Sequence, residues 1–160
     1  MRRFFVWAAA LAVVLAVVSV GYVRVAPSDP AQWHVDPQLA PDEAQPNAWR
    51  VGPTADAGVD AVSPVYAVPA GELARALDEV ALSEPRTERL AGRPEDLWTT
   101  YVQRSEWMRF PDYISVRALD LEGDRSTLSI FSRARFGRED MGVNRARVER
   151  WLDALEPLEE

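Results

Sequence analysis

The sequence predicts an α+β protein: an N-terminal transmembrane helix, then a two-layer domain of a mainly antiparallel sheet packed by two amphipathic helices. Three observations carry this expectation. Residues 4–23 contain no charge and are dominated by Ala, Val, Leu and Phe. Residues 113–122 and 125–135 are strand-like runs joined by Gly123-Asp124, a pair suited to a tight hairpin. Residues 71–82 and 144–155 each repeat apolar positions at three- and four-residue spacing.

The N-terminal stretch sets the compartment. Twenty residues at 1.5 Å per residue span roughly 30 Å, the hydrocarbon thickness of a bilayer. Trp7 and Tyr22 lie towards its ends, where amphipathic rings favour the interface. Arg2-Arg3 should stay in the cytoplasm, which makes residues 1–25 a single inner-membrane span with the C-terminal domain periplasmic. The rival reading is a cleaved secretory signal ending at Gly21, with Ser19 and Gly21 as its small residues. Signal cores run to about 7–15 residues, so the length favours an uncleaved anchor.

Composition excludes several chemistries. The chain has no cysteine, which removes disulfides, thiolate nucleophiles, zinc–thiolate sites and lipid attachment at a lipobox. All 18 basic residues are arginine, a compositional bias that weakens any argument from arginine number alone. The net charge of −7 argues against nucleic acid as a partner.

Residues 26–62 hold six of the twelve prolines (Pro27, Pro30, Pro37, Pro41, Pro46, Pro53) and no clear periodicity, which reads as an extended tether holding the domain off the membrane. Trp33, His34 and Trp49 are out of place in a free linker and are expected to strap parts of it onto the domain. The domain, residues 63–160, opens with a short β-prone run at 65–68. A helix over 71–82 follows, its apolar face carrying Leu73, Leu77, Val80 and Ala81. Strands are expected at 87–91 and 97–107. In the hairpin a two-residue turn would set Leu119 opposite Leu128, with Leu119, Leu121, Leu128 and Ile130 on the core face. The last helix has Val148, Trp151, Leu152 and Leu155 on its apolar stripe, with Asp140 or Asn144 as its cap.

The link between the hairpin and that helix, residues 132–147, is the densest in chemistry: five arginines, two acids and two glycines. One reading is an anion site, in which Arg133, Arg135, Arg145 and Arg147 grip a phosphate or carboxylate near a helix N-terminus. The other is architectural, with Gly137 and Gly142 making turns, Asp140 and Asn144 capping, and the arginines pairing internally. His34, the one histidine, sits in the tether, and no Gly-x-Ser-x-Gly elbow exists, so nucleophilic catalysis has little support. Asp120, Glu122 and Asp124 alternate around Gly123 but lack the sixth-position glycine and distal glutamate of a calcium loop. No metal and no cofactor are expected.

Phe110-Pro111-Asp112-Tyr113-Ile114-Ser115-Val116, the 132–137 strand end, Asp140-Met141-Gly142-Val143-Asn144-Arg145 and Arg147 together resemble the domain of unknown function 1499 family over roughly residues 47–155. The resemblance marks Arg135, Gly137, Asp140, Gly142, Asn144, Arg145 and Arg147 as signature positions. It implies a membrane- or envelope-associated protein and no established reaction. Many members carry a cysteine after a Pro-Asn pair near the domain start; here Pro46-Asn47 is followed by Ala48, so no thiol role carries over. The expectation is an extracytoplasmic binding or accessory domain for an anionic small molecule or an acidic protein partner. The alternatives are a hydrolase or transferase working through Asp140 and its neighbouring arginines, and a purely structural envelope protein.

Overall fold

The computed structural model describes residues 2–40 and 45–160. The uncharged stretch forms α1 (Arg2–Val25). Its Arg3–Val25 portion has a mean hydropathy of 2.5 and is wholly unburied, so it is long and apolar enough to cross a membrane, a test that a signal sequence also passes.

Six strands make one sheet: β1 (Ala48–Gly52), β2 (Ala61–Val62), β3 (Thr87–Arg93), β4 (Trp98–Arg104), β5 (Pro111–Leu121) and β6 (Arg125–Ala134). Their spatial order is β2-β1-β6-β5-β4-β3. The short β1–β2 pair is parallel and the other neighbours are antiparallel. The helices are α2 (Pro30–Trp33), a single turn, α3 (Ala70–Ser83) and α4 (Val143–Leu155). The α+β architecture expected from the sequence is the one observed.

Both long helices of the domain lie on one face of the sheet. Leu73, Leu77 and Ala81 of α3 and Val148, Trp151 and Leu155 of α4 meet Tyr101, Ile114, Val116, Leu128, Ile130 and Val51 in one core. The helical periodicity that predicts α3 and α4 is thus the periodicity of burial. The Trp151 ring meets Tyr101 edge-on at 5.7 Å, and the Tyr101 hydroxyl donates to Asp78, which also pairs with Arg89. α3 begins at Pro69 without a side-chain cap of its own; Asp120 of β5 accepts the Ala70 N–H instead. That contact gives a physical role to one member of the acidic trio at the hairpin tip.

The hairpin forms, but one residue out of the expected register. Its connection is three residues, Glu122-Gly123-Asp124, with positive φ at Gly123 and Asp124. Leu121 therefore pairs with Arg125, Leu119 with Thr127, and Ala118 with Leu128. A one-residue slip exchanges the two faces of a strand. On β5 the core face accordingly carries Ile114, Val116 and Ala118 rather than Leu119 and Leu121, and Leu121 is exposed. The β-prone run at 65–68 contributes only isolated bridges, from Tyr66 to Ser126 and Glu159.

The largest correction concerns residues 26–62. They do not form an extended tether. β1 lies inside this segment and pairs with β6 over Ala48↔Arg133 to Val51↔Ile130, burying Arg50 and Val51. Residues 26–40 lie on the sheet face opposite the helices, where Ala26, Pro37 and Ala40 are buried. Trp33 stacks on Tyr113 at 4.0 Å and His34 on Trp98 at 3.9 Å. Asp36 forms a salt bridge with Arg117, and the Trp98 indole donates to the Val35 carbonyl. Trp33 and His34 thus act as the straps their presence in a Pro-rich segment suggests, and residues 26–40 cover the second face. Gly92 is needed for the fit: at φ +74°, a side chain there would collide with the Trp98 carbonyl and crowd His34. Pro41, counted with the tether, lies outside the described residues.

Candidate functional site

β6 delivers the chain to the 132–147 link, and the sheet then distributes its arginines to different places. Side chains alternate along a strand, so Ser132 faces α4 while Arg133 faces the strap. Arg133 is buried, and its guanidinium donates to the Trp33 carbonyl at 2.7 Å, the Phe131 carbonyl at 3.2 Å and the Ser115 hydroxyl at 3.3 Å. It also lies over the Phe131 and Trp33 rings. Burial pushes its pKa down to about 10, which leaves it cationic at neutral pH. Arg135 follows the same strap: it donates to the Pro27 carbonyl at 2.8 Å and to the Tyr113 hydroxyl, and sits over Trp33 and Phe136. These two arginines hold the strap to the sheet.

Arg147 goes the other way. Its side chain is 3% exposed, and it donates to Asp112 at 2.7 Å, Asn144 Oδ1 at 2.6 Å, Gln103 Oε1 at 2.5 Å and Ser132 Oγ at 3.1 Å. Burial pushes the Asp112 carboxyl up, and the Arg147 charge only partly offsets this. Asn144 is fully buried beside it and bonds four residues: Ser132, Asn47 through its carbonyl, Arg147 and Asp140. Asn47 closes the ring by donating to the Gly137 carbonyl. The group fastens α4 to β6, β5 and β1 at once.

Asp140 settles the choice of cap. One carboxylate oxygen accepts the Gly142 N–H at 3.0 Å; the other accepts the Asn144 N–H and the Asn144 side-chain amide, both at 2.7 Å. This satisfies orphan donors of the first turn of α4 and places negative charge at its positive end. Gly142, at φ +79°, and Gly137, at φ +97°, make the turns around it. A carboxylate holding three N–H groups is disposed as a cap, whereas general acid–base work needs it aimed at a substrate.

Arg145 differs from the other three. Its guanidinium lies 5.0 Å over the Trp49 ring on the outside of the domain. Its Nε–H donates to Glu149 at 2.7 Å, while its terminal NH2 groups make no hydrogen bond among the described residues. Trp49 and Arg145 line a cleft of about 420 Å³ with Gln45, Pro46, Ala48, Asp60, Asp140 and Gly142. Asp60 is exposed and accepts the Arg50 backbone N–H at 2.7 Å. The cleft thus offers a guanidinium edge that has no partner among the described residues, an indole face and the carboxylates of Asp60 and Asp140, the latter already accepting three N–H groups. Among the described residues no cluster of three His, Asp or Glu side chains is placed to hold a metal ion.

The four arginines expected to converge are therefore distributed over three places, and of the four it is Arg145 that lines the cleft of about 420 Å³. The sequence reading missed Asn47, Trp49 and Asp60 as parts of the site. Trp49 had left a signal, a large aromatic in a polar segment, but its pairing across to α4 depends on β1 joining the sheet.

A sheet covered by two helices on one face and by its own N-terminal strap on the other, with a small cleft at the edge of the strap-to-strand passage, defines an α+β domain behind an apolar helix. The chain belongs to the family described as "Protein of unknown function (DUF1499)", whose model matches residues 38–155. That match takes in β1, the cleft and the whole 132–147 link. Searches of curated proteins and of solved structures gave no match.

Proposed function

We infer that the chain is a membrane-anchored, extracytoplasmic binding domain whose recognition site is the Trp49–Arg145 cleft. Two arginines before an uncharged helix support the orientation, with α1 in the inner membrane and the domain on its periplasmic side. The observation that carries the binding reading is the state of Arg145. It is held in place by Trp49 and Glu149, yet its terminal N–H groups meet no hydrogen-bond partner among the described residues at the mouth of a cleft. A preorganised guanidinium of that kind suits a carboxylate or phosphate, which it can meet with two parallel bonds. Asp60 and Asp140 make the cleft mixed in sign, so the ligand that fits carries donors beside its anionic group.

Arg145→Ala tests this. The residue is exposed and its pair with Glu149 is a surface pair, so stability should change by less than about 1 kcal/mol. Pull-downs from detergent-solubilised membranes should lose a partner that the unaltered chain and an Arg138→Ala control both retain. In the same variants, any thermal stabilisation by inorganic phosphate should disappear with Arg145 alone. An unchanged set of partners and an unchanged phosphate response in Arg145→Ala would overturn the reading.

A further inference from the structure

The connection between β4 and β5, residues 105–110, carries an exposed aromatic ring. It presents Trp107 with 81% of its surface exposed, followed by Met108 and Arg109, also exposed. An indole and a thioether side by side in water gain nothing for the fold, because neither contributes to the core. The loop is nonetheless shaped. The Ser105 N–H donates to the Phe110 carbonyl, the Phe110 N–H donates to Ser105 Oγ, and Arg109 turns the chain at φ +60°. It therefore holds Trp107 outward.

Its location supplies the reason. Arg24, in the last turn of α1, donates to the Trp107 carbonyl at 2.9 Å. The loop thus sits at the end of the one apolar helix of the described chain, beside Arg24, Arg104 and Arg109. With α1 spanning a bilayer, that end lies among the lipid headgroups. Indole rings favour this depth, and arginines there face phosphate.

We propose that the 105–110 loop is a second membrane contact, with Trp107 and Met108 seated in the interfacial layer of the bilayer that α1 crosses and Arg24, Arg104 and Arg109 facing its phosphates. The surface is peripheral and two-point: one helix through the membrane and one loop on it, joined by the Arg24–Trp107 bond. It rests on the reading of α1 as an anchor.

Because the chain has no cysteine, single labels are straightforward to place. Full-length Met108→Cys, Glu122→Cys and Val13→Cys variants would each carry an environment-sensitive fluorophore. They would be reconstituted in vesicles of phosphatidylcholine with a minority of phosphatidylglycerol. Nitroxides near the headgroup end of the lipid chains should extinguish the label at position 108 and shift its emission to the blue. Nitroxides deep in the chains should extinguish the label at 13. The label at 122 lies at the far end of β5, roughly 30 Å from the loop by strand rise, and should keep its aqueous spectrum. Quenching at 13 without quenching at 108 overturns the loop contact and leaves the anchor standing. Equal quenching at 108 and 122 overturns it too, since the domain would then lie on the lipid without orientation. Absence of quenching at 13 removes the anchor itself and the inference with it.

Discussion

Asp140 and Arg147 sit seven positions apart in a segment whose composition suggests ligand binding, yet each makes several hydrogen bonds within the protein. Asp140→Ala removes three hydrogen bonds at the start of α4 and should cost about 1–2 kcal/mol, read as a lowered Tm with the far-ultraviolet spectrum retained at low temperature. Arg147→Ala is more severe. It leaves Asp112 charged, buried and without its cation, a loss of about 3–5 kcal/mol against a total stability of about 5–15 kcal/mol. Low soluble yield or a cold-shifted melt is the expected outcome, and Arg147→Ala with wild-type stability would contradict the fastening role. Both residues were visible in the sequence as parts of a dense motif. Their roles were not, because whether a guanidinium points into a core or into water depends on strand register, and residue types do not encode that.

At the scale of the element, the strap is the unexpected feature. Trp33 and His34 were legible as anchors because large rings in a Pro-rich segment need something to cover. The strand at 48–52 was not, since five residues without a regular pattern carry no period to read. The strap also has an acid-sensitive point. Burial lowers the pKa of His34, and nearby Asp36 only partly opposes this; its Nδ1 is shared with Thr100 Oγ1 at 2.8 Å. The folded state therefore prefers the neutral ring. The stabilisation is present above the ordinary histidine value of 6.5 and is lost as pH falls through the lower folded value. His34 is the chain's one histidine, so wild-type Tm should decline as pH falls below 6.5, while His34→Gln shows a flatter profile there. Equal slopes in the two proteins would show that the imidazole does not titrate against the strap.

For the molecule as a whole, the α+β class, the apolar helix and the placement of α3 and α4 could be read in advance, because each rests on a period of three to four residues or on uninterrupted apolar length. Sheet order could not, since β1 reaches β6 across almost the entire domain and nothing local announces that pairing. The same holds for the cleft, whose lining comes partly from residues 45–60 and partly from residues 140–145.

That long-range pairing dictates an order of events. Arg135 and the Pro27 carbonyl it holds are 108 positions apart, and β1 has β6 as its antiparallel neighbour. When the strap and β1 leave the ribosome, the surfaces they will cover have not yet been made. They wait as unpaired chain until the hairpin arrives, and contacts of such separation close slowly. A product truncated before β6 would not be a smaller domain. It would be an apolar helix trailing a strand edge with nothing beside it, a species exposed to aggregation and proteolysis.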